Sequence, residues 1–187
     1  MKKTALLVAA ILGLLLTACV PDKQTEILDI GPDMDGKAGT PVDFDVLASD
    51  TMDGISDMEP FGFVERVQIT GVNSEEGGSV KVTVGTIVEV GPEDAQAFAA
   101  AVMKSMGNAV ANELLEYNVP EKDTFGDFWD KYSITFEFYN DTDLEGGEGK
   151  PYYVFEYRAG DTNPLNPNVD EYNAEYYKGK DILERNL

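Results

Sequence analysis

An acidic, glycine-rich segment holds the densest group of side chains that can bind a metal ion. Asp141, Asp143 and Glu145 occupy alternate positions, and Glu148 follows after two glycines. Carboxylates are hard oxygen ligands of the kind that Ca²⁺ prefers, and glycine allows the sharp turn that brings such ligands around one ion. The spacing predicts a calcium site in this segment, and Ca²⁺ is the only cofactor that the sequence suggests.

The same segment resembles the first half of an EF-hand calcium loop. It departs from that pattern at Glu145, where aspartate or asparagine is usual, and at the twelfth position, where Tyr152 replaces a bidentate glutamate. Predicted strands, rather than helices, flank the segment. The alternative interpretation is an ordinary hairpin tip without a metal, which its charges keep soluble.

Tyrosines are concentrated in the second half of the chain, where all nine follow residue 116. Tyr139 and Tyr152 fall on the polar faces of two predicted strands, so we expect them to be exposed together. Tyrosine is enriched at binding surfaces because its ring is apolar and its hydroxyl forms hydrogen bonds. The two residues are therefore candidates for binding a protein partner, whereas strand propensity explains most of the others.

The absence of histidine excludes several kinds of catalysis. None of the 187 residues is histidine, which removes Ser-His-Asp and Cys-His nucleophiles and nearly all histidine-ligated metal sites. The sequence also lacks the Gly-x-Ser-x-Gly and Ser-x-x-Lys motifs and a glycine-rich phosphate loop before a helix. We therefore expect a protein that is not an enzyme and has no catalytic residues.

The N-terminus has the features of a secretory signal. Lys2 and Lys3 precede twelve apolar residues, 5–16, which as a helix cover only about 18 Å of a ~30 Å hydrocarbon core. A short apolar run of this kind, between a positive start and small residues, is typical of a signal peptide. The next residues, Leu16-Thr17-Ala18-Cys19, resemble the lipobox of bacterial lipoproteins.

The lipobox resemblance implies that a peptidase removes residues 1–18 and that Cys19 carries diacylglycerol and a further acyl chain such as palmitate. Several acyl chains anchor a protein to a membrane far more firmly than one. Val20 stands where aspartate would favour the inner membrane, so the resemblance predicts an outer-membrane anchor facing the periplasm. The alternative is a plain secretory signal with an incidental cysteine, although Cys19 is the only cysteine in the chain.

The charge of the mature chain restricts its partners. Without residues 1–18, 12 basic and 35 acidic side chains remain, and the formal net charge is −23. Such a charge repels phosphate backbones and anionic lipid surfaces, so we expect no nucleic-acid partner. The acidity indicates either a basic partner or a general adaptation to solubility or a saline habitat.

The hydrophobic pattern predicts a tether at residues 19–41 and one α+β domain at residues 42–187. Gly, Pro and acidic residues dominate the tether. Alternating and helical periodicities in the domain predict the order β-ββ-α-ββ-α. The predicted strands are residues 42–46, 61–71, 79–90, 132–139 and 152–158, and the predicted helices are residues 92–117 and 169–187. This order indicates an antiparallel sheet of about five strands covered by one long helix, with a short C-terminal helix.

Together these features predict a non-catalytic lipoprotein that binds a periplasmic or envelope protein, or that assists envelope assembly. The alternative is a calcium-binding lipoprotein whose acidic loops are ordered by the metal.

Overall fold

The computed structural model describes residues 41–55, 58–146, 149–161 and 165–176, all of which fall in one compact unit. The predicted signal peptide, Cys19 and the tether up to residue 40 lie outside this range. In chain order the elements are helix α1 (Phe44–Gly54), a 3₁₀ turn (Glu59–Phe61), strands β1 (Val64–Ser74) and β2 (Gly77–Thr86), helix α2 (Pro92–Glu113), a second 3₁₀ turn (Asp127–Asp130), strand β3 (Tyr132–Asn140), helix α3 (Asp141–Gly146), strand β4 (Tyr153–Tyr157) and helix α4 (Val169–Tyr176).

The four strands form one mixed sheet in the order β1-β2-β3-β4. β1 pairs antiparallel with β2, and β4 pairs antiparallel with β3, as the predicted hairpins require. The central pair, β2 and β3, is parallel, so the prediction of an entirely antiparallel sheet is wrong. Parallel neighbours need a long crossover connection, and helix α2 lies in the connection between these two strands.

The strand predicted at residues 42–46 is a helix instead, which leaves four strands in the sheet rather than five. The Asp43 side chain accepts hydrogen bonds from the backbone N–H groups of Asp45 and Val46, at 3.0 and 3.2 Å. Such an N-cap satisfies amides that the first helical turn leaves without partners. α1 then turns Leu47 and Thr51 inward, and Val46 is 45% exposed.

The predicted long helix is confirmed, although it ends four residues earlier than expected. Pro92 occupies its first turn, where its missing N–H costs no hydrogen bond. The predicted apolar stripe is buried along the helix at Phe98, Val102, Met103, Met106 and Val110. The last helical bond runs from the Leu114 N–H to the Val110 carbonyl, at 2.7 Å, and the chain then becomes extended.

The core lies between one face of the sheet, the inner face, and helices α1 and α2. The inward residues of β2 and β3 are those that the alternating pattern selected, namely Val80, Val82, Val84, Tyr132, Ile134, Phe136 and Phe138. Phe98 of α2 packs edge-on against Phe138, with ring centres 6.5 Å apart. Trp129 is buried, and its indole N–H donates to the Met103 carbonyl at 3.2 Å.

Two short helices, α3 and α4, differ from the prediction. The glycine-rich loop expected after β3 begins as the helix α3, so β3 continues directly into a helical turn. The helix predicted at residues 169–187 is present as α4, and the part beyond residue 176 lies outside the described residues.

Candidate functional site

The second face of the sheet, the outer face, is a surface that the described helices leave open. Side chains alternate across a strand, and the register identifies which residues share this face. Each of the following is half-buried or exposed, and together they define the outer face: Arg66, Gln68, Thr70, Val72, Ser79, Lys81, Thr83, Ser133, Thr135, Glu137, Tyr139, Val154 and Glu156. The face is rich in hydroxyl groups, which suits contact with another protein surface.

Three side chains in the middle of the outer face form a charged hydrogen-bonded cluster. The Lys81 ammonium lies 2.9 Å from Glu137 Oε2, and the Tyr139 hydroxyl donates to the same oxygen at 2.5 Å. The Tyr139 hydroxyl, together with Lys81, lowers the pKa of Glu137. The same hydrogen bond, followed by burial, raises the pKa of Tyr139 to about 12. At neutral pH the cluster therefore holds one carboxylate, one ammonium and one protonated phenol in fixed positions.

Tyr139 lies on the outer face, as the sequence predicts. Tyr152 precedes β4, and its hydroxyl contacts Thr86 and Val90 instead of lying exposed beside Tyr139. The Tyr152 hydroxyl lies 3.0 Å from Thr86 Oγ1 and accepts a hydrogen bond from the Val90 N–H at 3.4 Å. Burial is the main cause that raises its pKa. Thr86 also donates to the Tyr139 carbonyl, at 3.1 Å, so Tyr152 braces the end of β2 against β3.

The residues of the predicted calcium site do not form an open loop where they are described. Asp141 and Asp143 lie in helix α3, while the Glu145 side chain and Glu148 are outside the part of the chain that the structure describes. Arg66 pairs with Asp141 through Nε and Oδ1 at 3.2 Å, and its Nη2 lies 3.4 Å from Oδ2. No group of three or more acidic residues within the described ranges is arranged to hold a metal ion. The calcium site stays a prediction.

A second acidic surface lies in a cleft of about 410 Å³ between α1 and α2. Asp50, Asp53, Asn108 and Asn112 line it. Burial, followed by the charge of Asp50 and a hydrogen bond with it, raises the pKa of Glu113, at the end of α2. The sequence did not single out these residues, because only the packing of α1 beside α2 brings the carboxyl groups of Asp50 and Glu113 together.

Comparison of the chain with models of known protein families, with curated proteins and with solved structures finds no match. Among the described residues, no helix is long and apolar enough to cross a membrane.

Proposed function

We propose that this protein is a lipid-anchored, non-catalytic binding module of the periplasm, and that the outer face of its sheet contacts a protein partner. One observation carries the binding surface: helices α1 and α2 cover the inner face, while the outer face stays accessible on all four strands. The lipobox at residues 16–19 supports the anchor, and Val20 supports the outer membrane as its location.

The chemistry of the outer face supports a protein partner. Its short hydroxyl side chains lose little entropy on binding and can donate or accept hydrogen bonds. The Tyr139 ring and Val154, which is 46% exposed, add apolar contact area. Because Glu137 is already neutralised by Lys81, a partner can cover the pair without burying an unpaired charge.

The size of the outer face limits how much of the interface it can provide. Strands about 4.8 Å apart, with about seven residues each, give a face of roughly 400 Å². A standard protein interface buries about 800 Å² on each partner. The face therefore provides about half of such an interface, and we expect the partner to contact the adjoining loops as well.

Site-specific photo-crosslinking in intact cells tests the outer face. A benzophenone amino acid at Thr135, in the centre of the face, should give a crosslinked product, and the same group at Asn112 on the exposed side of α2 should not. Lys81→Glu should reduce the Thr135 product, because it places a second carboxylate beside Glu137. Equal products from Thr135 and Asn112, or no product from Thr135, would contradict the proposal.

The anchor is tested separately. Cys19→Ser should abolish metabolic labelling with palmitate and leave an unprocessed precursor. Equal labelling of the wild type and the variant would show that the lipobox interpretation is wrong.

A further inference from the structure

Among the described strands, β1 forms one edge of the sheet and pairs on one side only, with β2. It is 11 residues long, whereas β4 at the opposite edge has only five. Within the described ranges, residues 67–72 form no backbone hydrogen bond on the side of β1 that faces away from β2. Long open edges are usually shortened, covered or charged, because they present unpaired N–H and C=O groups to other chains. Here α1 packs against the inner face of β1, and its edge stays open.

The ladder shows which backbone groups of β1 point outward. The Gly78 N–H donates to the Lys131 carbonyl at 3.2 Å, on the side of β3, so the backbone of Gly78 is turned away from β1. Asn73 lies opposite Gly78, and hydrogen-bonded pairs alternate along an antiparallel ladder. The N–H and C=O groups of Val67, Ile69 and Gly71 therefore face the open edge.

At one end of this edge, the Asn73 side chain is already hydrogen-bonded to the backbone of Val42. The Asn73 amide donates to the Val42 carbonyl at 2.9 Å, and its oxygen accepts from the Val42 N–H at 3.1 Å. Gly71 has no room for a side chain, because the Phe44 ring of α1 occupies the space where its Cβ would lie. The free part of the edge thus runs from Val67 to Gly71 and fits an extended segment of about five to seven residues.

The charges at both ends of the edge are negative. Glu65 lies at one end, Glu75 and Glu76 lie in the turn at the other, and all three are exposed. The nearby cations are already engaged: Arg66 pairs with Asp141, and Lys81 pairs with Glu137. Lys131, which lines a cleft with Glu75 and Glu76, has its ammonium 5.0 Å from the Tyr117 ring centre.

We propose that the open edge of β1 binds an extended, basic segment of a partner protein, which adds a fifth strand to the sheet. Backbone hydrogen bonds to Val67, Ile69 and Gly71 would hold the segment, and basic residues at its two ends would meet Glu65 and Glu75. A second copy of this chain fits the edge poorly, because antiparallel pairing of two β1 strands brings Glu65 of one copy towards Glu75 of the other. This surface is separate from the outer face.

Peptide titration followed by NMR tests the edge, using residues 19–187 with Cys19→Ser, expressed without the signal peptide. The probe is a nine-residue peptide with two lysines at each end and alternating Val and Thr between them. Binding should slow amide hydrogen exchange at Ile69 and Gly71. Two matched peptides, one N-methylated at its five central residues and one with Glu for every Lys, should each bind at least ten-fold more weakly.

A pair of protein variants gives an independent readout. Ile69→Pro removes an outward N–H and should weaken peptide binding at least ten-fold, while Ile69→Val keeps the N–H and should bind as the wild type does. If Ile69→Pro fails to fold, the methylated peptide decides the question. Equal binding of the methylated and unmethylated peptides would overturn the proposal. So would a concentration-dependent dimer whose Ile69 and Gly71 amides are protected without peptide.

Discussion

Removal of the Phe136 ring is the sharpest test of the core. Phe136 is fully buried in the middle of β3, opposite Val82 of β2 on one side and Phe155 of β4 on the other. Its ring stacks on Phe138 with centres 6.5 Å apart and lies 6.3 Å from Phe155. Removing the ring therefore removes contacts with both neighbouring strands.

The expected cost of Phe136→Ala is about 3–5 kcal/mol. An aromatic side chain buries at least about 150 Å², which at about 25 cal/mol per Å² gives about 4 kcal/mol. The value agrees with the range measured for such substitutions, which also includes the cavity left behind. Since urea m-values are typically about 1–3 kcal/mol/M, we expect the unfolding midpoint to fall by more than 1 M.

Urea unfolding of the mature chain with Cys19→Ser, followed by circular dichroism, measures this cost. Thr135→Ala is the matched control, because Thr135 is the neighbouring residue on the outer face. It should cost less than about 1 kcal/mol. A loss below about 1 kcal/mol for Phe136→Ala, or equal losses for the two variants, would refute the assignment of the inner and outer faces.

Three further predictions concern charged groups. Tyr139→Phe removes the hydrogen bond that most lowers the pKa of Glu137, and we expect it to reduce the free energy of unfolding in urea by about 0.5–1 kcal/mol at pH 7. The stabilisation from the ionised Glu137 is complete only above the pKa of the unfolded state, about 4.3, so this loss should disappear as the pH falls through the lowered pKa of the folded state. Burial and the charge of Asp50 raise the pKa of Glu113, so its ionised form destabilises the folded state at pH 7. Glu113→Gln should therefore increase the free energy of unfolding more at pH 7 than at pH 4, by under about 1 kcal/mol for this partly exposed group, which is measured as a larger rise in the melting temperature; an equal change at both pH values would contradict this. If the predicted calcium site exists, a few millimolar Ca²⁺ should raise the melting temperature by a few degrees, and Mg²⁺ should raise it less. The double variant Asp141→Asn with Asp143→Asn should remove the difference between the two ions. Equal shifts by both ions in the wild type and the variant would indicate general screening of charge.

The elements that the sequence predicts correctly are those with one sustained buried face. Tyr132, Ile134, Phe136 and Phe138 alternate over seven residues, and each is buried in β3. The apolar stripe of α2 extends over several turns, and the helix begins at Pro92, a residue that is tolerated in a first turn. Long periodic patterns of this kind are decided by burial, which the sequence records directly.

The errors arise where local and non-local information conflict. Val42, Phe44 and Val46 alternate over only five residues, and the N-cap at Asp43 outweighs so short a pattern. The parallel pairing of β2 with β3 was not predictable from either strand alone, because it depends on how the chain returns through α2. The same pairing creates the contact between Lys81 and Glu137, so the charged cluster of the outer face could not be found before the register was known.

The two surfaces that remain open differ in one physical property that separates their partners. On the outer face Lys81 pairs with Glu137, and Arg66 pairs with Asp141. At the edge of β1 the carboxylates of Glu65, Glu75 and Glu76 are exposed. Salt screens attraction between exposed charges, with a screening length of about 10 Å at 0.1 M. Binding at the edge should therefore weaken steeply as the salt concentration increases. Contact with the outer face exchanges hydrogen bonds and apolar area, which salt affects little, so the salt dependence of a partner's affinity indicates which surface it occupies.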